Sequence, residues 1–412
     1  MNWQRITLLV CSLLFVAVAT LSPGAYQSST ATPAGFWCFA CDPLSGSDAI
    51  ANTLMFVPLG AALAIAFGRG RALFTGVLLS IGIETLQHFG IPSGRDSNIT
   101  DVMTNSLGTM FGLQIVRHWH TLIAPSARTA RTLSAASASF IVFVLALTAW
   151  ALGRDVNEQS IGNFERSELP FTPGFGWYHG YVLNTNVRQL DFEHPGDGPL
   201  ILKGELAAVD TFTVRVARRD ERNALVPLLY IHKTNDTLPQ LIVGQSGIDA
   251  RVRIALRAAR LRFVVPELIL PRAFADSGKE IRTLEVVVRP ESWSIQSERS
   301  GITASATLPL TLGLGWTFVQ GAIRLGGTAS AFISIVWMCV LFFPVGFWSA
   351  QHGSRLGVVA GSFAFVLATA LWVLPSYAGI APTTLLEWVE AIAGFIAGIS
   401  CARLTQRRRS AL

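Results

Sequence analysis

Charged residues are crowded into the middle of this chain and scarce on both sides of it. Most fall between Arg154 and Arg324, and the flanks are long apolar tracts joined by short links. A run of about 20 apolar residues is long enough to cross a bilayer as a helix. In lipid such a run must satisfy its own backbone hydrogen bonds, which a helix does. The spacing predicts eight membrane helices, near 6–21, 50–67, 73–89, 99–116, 133–152, 329–349, 357–375 and 384–402. Composition agrees: 51% of the residues are hydrophobic and 14% are charged. The first run is read as a retained helix, since no clear cleavage chemistry follows it.

The middle has a different grammar. Phe212-Thr213-Val214-Arg215-Val216 and Leu284-Glu285-Val286-Val287-Val288 alternate at period two and are rich in β-branched residues. Turn signals such as Pro195-Gly196-Asp197-Gly198 and Asp276-Ser277-Gly278 punctuate them. About ten short strands with such turns make a β-sandwich. The expected fold is an α-helical polytopic membrane protein with an inserted all-β sandwich. Four parts follow: a first helix and link at 1–48, a helical module at 49–153, a β-sandwich ectodomain at 154–325, and a three-helix membrane segment at 326–412.

The net charge is +6, but the basic residues form no stripe interleaved with aromatics, so no nucleic-acid partner is expected. The arginines report topology instead. With Arg5 inside, the groups Arg69/Arg71, Arg117/Arg128/Arg131, Arg355 and Arg407–Arg409 all fall on the inner side. Both termini are then cytoplasmic, and the sandwich lies outside a bacterial cytoplasmic membrane. Arg95 is the exception, a cation on the outer side whose nearest acids are Glu84, Asp96 and Asp101.

Of five cysteines, Cys11, Cys339 and Cys401 sit in apolar helices and read as small hydrophobes. Cys38 and Cys41 form a C-x-x-C in the first outer link. The readings are a small disulfide or two free thiols. A lone pair does not make a structural zinc site, and no metal or cofactor is expected.

Polar residues at helical spacing mark the module. Glu84 and Gln87 share a helix face, with Ser80 one turn earlier. Asp101, Asn105, Gly108 and Gly112 share a face of the next helix, and Asn52 precedes Pro58 and Gly60. Acids and amides are costly in a bilayer, so these are functional candidates. The alternative is a staple that locks the helices. Pro58 reads as a kink, and Gly60, Gly108 and Gly112 as sites of close helix approach. An internal repeat at an offset of 286 residues (344 − 58) relates Phe56-Val57-Pro58-Leu59-Gly60 to Phe342-Phe343-Pro344-Val345-Gly346. It carries Gly108 to Gly394, Gly112 to Gly398 and Asp101 to Glu387, but Glu84 to Ala370, Gln87 to Val373, Arg95 to Ala381 and Asn105 to Ala391. The second copy keeps the scaffold and loses the polar set.

The series C-x-x-C, Asn52 with Phe-x-Pro-Leu-Gly, Glu84-x-x-Gln87, Arg95-Asp96 and Asp101-x-x-x-Asn105-x-x-Gly108 resembles the VanZ-like membrane proteins over about 35–120. That resemblance implies a cell-envelope protein, in a family named for resistance to glycopeptide antibiotics. The insertion is similar to a concanavalin A-like (laminin-G-like) sandwich, which implies glycan binding; Trp177, Tyr178, Tyr181 and Trp293 are the aromatic candidates for a sugar face, although aromatics in a sandwich more often belong to its core.

Three functions compete. The first is binding of a membrane lipid or lipid-linked envelope precursor by Asn52, Glu84, Gln87, Arg95, Asp96, Asp101 and Asn105, with a glycan or envelope protein at the sandwich. The second is a headgroup enzyme with Glu84 as catalytic base and Arg95 on a phosphate. The third is a transporter built from a parallel repeat. No Ser–His–Asp, P-loop or H-E-x-x-H pattern appears, which favours binding.

Overall fold

A computed structural model describes residues 3–22, 36–37, 44–92, 97–155, 159–163, 181–187, 190–192, 200–202, 210–217, 225–232, 239–275, 281–319, 327–351 and 356–410. Cys38, Cys41, Arg95, Asp96, Trp177 and Tyr178 lie outside them. Helices α1 (Trp3–Leu21), α2 (Ser45–Phe67), α3 (Arg69–His88), α4 (Ile99–Arg117) and α6 (Ala127–Ala151) precede the β region. Helices α7 (Gly327–Ser349), α8 (Leu356–Ala378) and α9 (Leu385–Ser410) follow it. All eight expected helices are present, with a short α5 (Trp119–Ile123) besides. Among the described residues, six helices are long and apolar enough to cross a membrane. Those six make this a multi-pass membrane protein. The other two, α3 and α4, are of similar length but carry Arg69, Arg71, Glu84, Gln87, Asp101, Asn105 and Arg117.

Glycines set the helix crossings. A Cβ on Gly60 would fall on the Thr109 backbone, one on Gly108 on the Thr53 carbonyl, and one on Gly112 on the Val57 carbonyl. So α2 and α4 meet backbone to backbone, as small residues allow. The pair α7 and α9 repeats the arrangement: Gly346 meets Phe395, Gly394 meets Cys339, and Gly398 meets Phe343. Each contact is the first one moved by 286 positions (395 − 109, 339 − 53, 343 − 57). The third helices differ. α3 packs on α4, with Gly76 seated against the Thr109 side chain, whereas α8 packs mainly on α6. Phe395 stands where Thr109 does, and Ser362 where Gly76 does.

The β region is an antiparallel sandwich. One sheet orders its strands β4 (Leu200–Leu202), β1 (Gln159–Asn163), β6 (Leu225–His232), β7 (Pro239–Ser246), β8 (Asp249–Ile254) and β9 (Leu268–Leu270). The other runs β12 (Ile302–Pro309), β11 (Ser292–Arg299), β10 (Ile281–Val288), β5 (Asp210–Ala217), β2 (Tyr181–Val187) and β3 (Leu190–Phe192). That is twelve described strands against about ten expected. The period-two reading places the core: Phe212, Val214 and Val216 of β5 and Leu284, Val286 and Val288 of β10 all face inward. Each such burial contributes about 1.5–3 kcal/mol.

Between a sugar surface and the core, Trp293 takes the core. It is fully buried in the sandwich core, on the inward face of β11 with Ile295 and Ser297. Tyr181 lies in β2.

The sandwich is seated on the helices. Its core continues without a break into α6–α9 through Leu310, Leu312 and Phe318, while α1–α3 close a separate core around Leu9, Val16, Phe56, Leu59 and Leu63. A 3-10 turn at Leu312–Val319 sits against α2, α6 and α7. The buried Ser47 hydroxyl donates to the Phe318 carbonyl at 2.6 Å and accepts from the Val264 N–H at 2.7 Å. Arg257 N–H donates to Gly153 O at 2.8 Å, and Ala381 N–H donates to Leu310 O at 3.0 Å. These contacts use the start of α2, the end of α6 and the α8–α9 link, so the sandwich covers one end of the helices. The expected clusters Arg69/Arg71, Arg117/Arg128/Arg131 and Arg407–Arg408 lie at the other end.

Candidate functional site

The polar set gathers at the sandwich end of α3 and α4. The local reason is capping. Asn98 is the N-cap of α4, its side chain accepting from Thr100 N–H at 2.9 Å. The Asn98 backbone N–H has no acceptor in the helix ladder, and it donates to Glu84 Oε2 at 2.9 Å. A carboxylate at a helix N-terminus is favoured by the helix dipole, which helps to hold a side chain only 3% exposed. One turn before Glu84, Ser80 Oγ accepts from Asn105 Nδ2 at 3.0 Å. One turn after it, Gln87 Nε2 donates to the Thr20 carbonyl at the end of α1, at 3.0 Å. His88 Nδ1 and Ser97 Oγ are 3.3 Å apart at the same end. The row from Ser80 to Gln87 therefore joins α3 to both α1 and α4.

Asn52 and Asp101 form a second pair beside this row. Asn52 Nδ2 donates to Asp101 Oδ1 at 2.9 Å and ties α2 to the first turn of α4. The structure thus brings Glu84, Gln87 and Asn105 into one buried row and gives Asp101 to Asn52. The Phe36 carbonyl accepts from Ile99 N–H at 3.0 Å, so the α1–α2 link also reaches the start of α4.

Two of the row's oxygens have no hydrogen-bond partner among the described residues: Gln87 Oε1 and Asn105 Oδ1. Both residues are buried, Gln87 to 6% and Asn105 to 1% exposure. Sequence reasoning named these residues but not their partners Thr20 and Asn98. The Asn98-x-x-Asp101 spacing is a cap signature that marks the α4 start.

The second half uses its acid differently. Glu387 Oε1 accepts from Gly313 N–H at 2.6 Å, and its Oε2 accepts from Thr384 N–H at 2.7 Å. Thr384 Oγ1 in turn accepts from Glu387 N–H at 3.2 Å, which completes a capping box. Glu387 is a structural clamp between α9 and the sandwich. One helical turn on, the buried Glu390 was not anticipated, because the repeat offset sets it against Thr104.

Among the described residues, no group of three or more His, Cys, Asp or Glu is placed to hold a metal ion. No curated protein and no solved structure matches the chain. Residues 7–122 match the family model described as VanZ/LLP1, so the helices that carry the polar row form a VanZ-like domain.

Proposed function

We propose that this is an envelope protein whose VanZ-like domain receives the polar headgroup of an amphiphile at the outer leaflet, beneath the sandwich. The ligand is a membrane lipid or a lipid-linked envelope precursor. Asn52, Glu84, Gln87, Arg95, Asp96, Asp101 and Asn105 are assigned to the site. One observation carries the reading. Ser80, Glu84, Gln87 and Asn105 are all buried in one row, where the repeat offset supplies Val366, Ala370, Val373 and Ala391. The matched glycine crossings support a duplication of α2/α4 as α7/α9. Basic residues at the end away from the sandwich support an extracytoplasmic sandwich, which offers a surface to a glycan or an envelope protein. A concanavalin A-like identity is compatible with two six-stranded antiparallel sheets.

An enzymatic role for Glu84 has less support, because Asp101, which that role would use for positioning, is turned to Asn52. Glu84→Gln tests the reading. It keeps the size of the side chain and removes its charge. The variant is expected to reach the membrane at the normal level and to lose function in an envelope-stress or glycopeptide-susceptibility assay. Full function in that variant would overturn the proposal.

A further inference from the structure

We infer that β12 is a docking edge, which takes an extended segment of another envelope protein as an added strand. The inference rests on the reading of the sandwich as a partner-binding ectodomain and does not draw on the α3–α4 row.

Each sheet has two edges, and three of the four are strands of three residues: β4, β9 and β3. β12 is the fourth, and it has eight. A long open edge is a template for pairing with another chain, and proteins blunt such edges with charges, proline or bulges. From Ile302 to Leu308 β12 has none of these. The run Ile-Thr-Ala-Ser-Ala-Thr-Leu carries no charge and no proline. Its register with β11 holds without a shift from Arg299↔Ile302 to Ser292↔Pro309.

The turn fixes which backbone groups are open. Ser300 (φ 43°) and Gly301 (φ 82°) form the two-residue turn that joins β11 to β12. In such a hairpin the flanking pair, Arg299 and Ile302, exchanges hydrogen bonds, and bonded pairs then alternate along the ladder. Leu310 N–H, donating to Glu291 O at 2.9 Å, keeps that alternation at the other end. Ile302, Ala304, Ala306 and Leu308 therefore bond β11. Thr303, Ser305 and Thr307 turn their N–H and C=O groups to the free edge, where no described residue meets them. Pro309, next in the series, has no N–H and ends the open edge.

The side chains define the partner. Ile302 and Ala304 lie on the inward side of β12, yet both are exposed, Ile302 to 70%. Ala306 and Leu308 on the same side are half-buried against the core. An added strand with apolar residues at every second position would cover this side and extend the core, while its main chain bonds Thr303, Ser305 and Thr307. A second copy fits poorly. β12 runs toward the membrane end, since Pro309 leads directly into the Leu312–Val319 wedge. Antiparallel pairing with another β12 would point that copy's helices away from the shared bilayer.

The test uses the full chain in nanodiscs and a labelled probe peptide that alternates threonine and valine between terminal lysines. Main-chain recognition tolerates many sequences, so this probe is expected to bind saturably by fluorescence anisotropy. Amide exchange at Thr303, Ser305 and Thr307 is expected to be fast without peptide and slow with it. The same peptide N-methylated along the edge that meets β12 is expected not to bind. Ser305→Pro removes an N–H that the β11 ladder does not use. It is expected to leave the melting temperature of the sandwich unchanged and to weaken the peptide about tenfold. Ser305→Ala keeps the N–H and is expected to bind normally. If Ser305→Pro unfolds the sandwich, the methylated peptide still decides. No saturable binding, or equal binding of the methylated peptide, overturns strand addition and leaves the headgroup reading standing. Slow exchange at the three amides without peptide shows an edge already covered and overturns it too. A dimer that Ser305→Pro dissolves makes the occupant a second copy and overturns the partner assignment.

Discussion

Ser47 is the smallest change that should loosen the sandwich from the membrane helices. Its hydroxyl is fully buried at the start of α2, and it serves two backbone groups of the β region at once. It donates to Phe318 O at 2.6 Å and accepts from Val264 N–H at 2.7 Å. Ser47→Ala removes one atom and leaves that carbonyl and that N–H without their partner. An orphaned buried polar group costs about 1–3 kcal/mol, and two of them, partly relaxed, cost about 2–4 kcal/mol. The loss falls on docking first, because both orphaned groups lie at the seam. The direct assay is hydrogen exchange at the Val264 amide, which donates to Ser47 Oγ. If docking carries the whole loss, exchange there accelerates about 30- to 1,000-fold, while the β10–β11 ladder stays protected. Unchanged protection at Val264, with a stability change below about 0.5 kcal/mol, would refute the seated sandwich.

Further variants probe the same architecture. Gly112→Leu and Gly398→Leu should each lower the melting temperature in detergent, since a side chain at either place meets a facing carbonyl; Gly70→Leu, which meets open space, should be close to neutral. Overpacking of this kind costs about 1–3 kcal/mol, and unequal losses at the two matched glycines would count against a duplicated crossing. Glu387→Ala should cost about 1–3 kcal/mol by opening the α9 capping box and orphaning Gly313 N–H, read as faster proteolysis between the sandwich and α9.

The helices were legible because length and charge placement constrain a membrane span tightly. Arginines at 69, 71, 117, 128 and 131 mark helix ends that the structure keeps within a few residues. The strands were legible where one face is buried: β5 and β10 alternate in sequence and in burial alike. Trp293 was open between a sugar surface and the core on aromatic character alone; register decides it, since Ile295 two places on shares its inward face. The turn at Leu312–Val319 has no strand or helix period to betray it, yet it is the wedge that seats the sandwich. At the site, Glu84, Gln87 and Asn105 were visible by type and spacing. Their partners were not, since Thr20 O and Asn98 N–H are backbone atoms positioned only by how α1 and α4 pack.

The departure of α8 bears on whether the polar row is a site or a staple. α3 is held to α4 by the Asn105–Ser80 bond, by Glu84 on Asn98 N–H and by Gly76 against Thr109. The second half has apolar residues at Ala370, Val373 and Ala391, and there the third helix has shifted to α6. Part of the row is therefore a staple, and losing it goes with moving a helix. A staple, however, needs only its bonded atoms. Gln87 Oε1 and Asn105 Oδ1 are buried without a partner among the described residues, at a cost of about 1–3 kcal/mol each. The surplus acceptors are what packing does not require, and they stand on either side of Glu84, in the half of the chain that carries the VanZ-like domain.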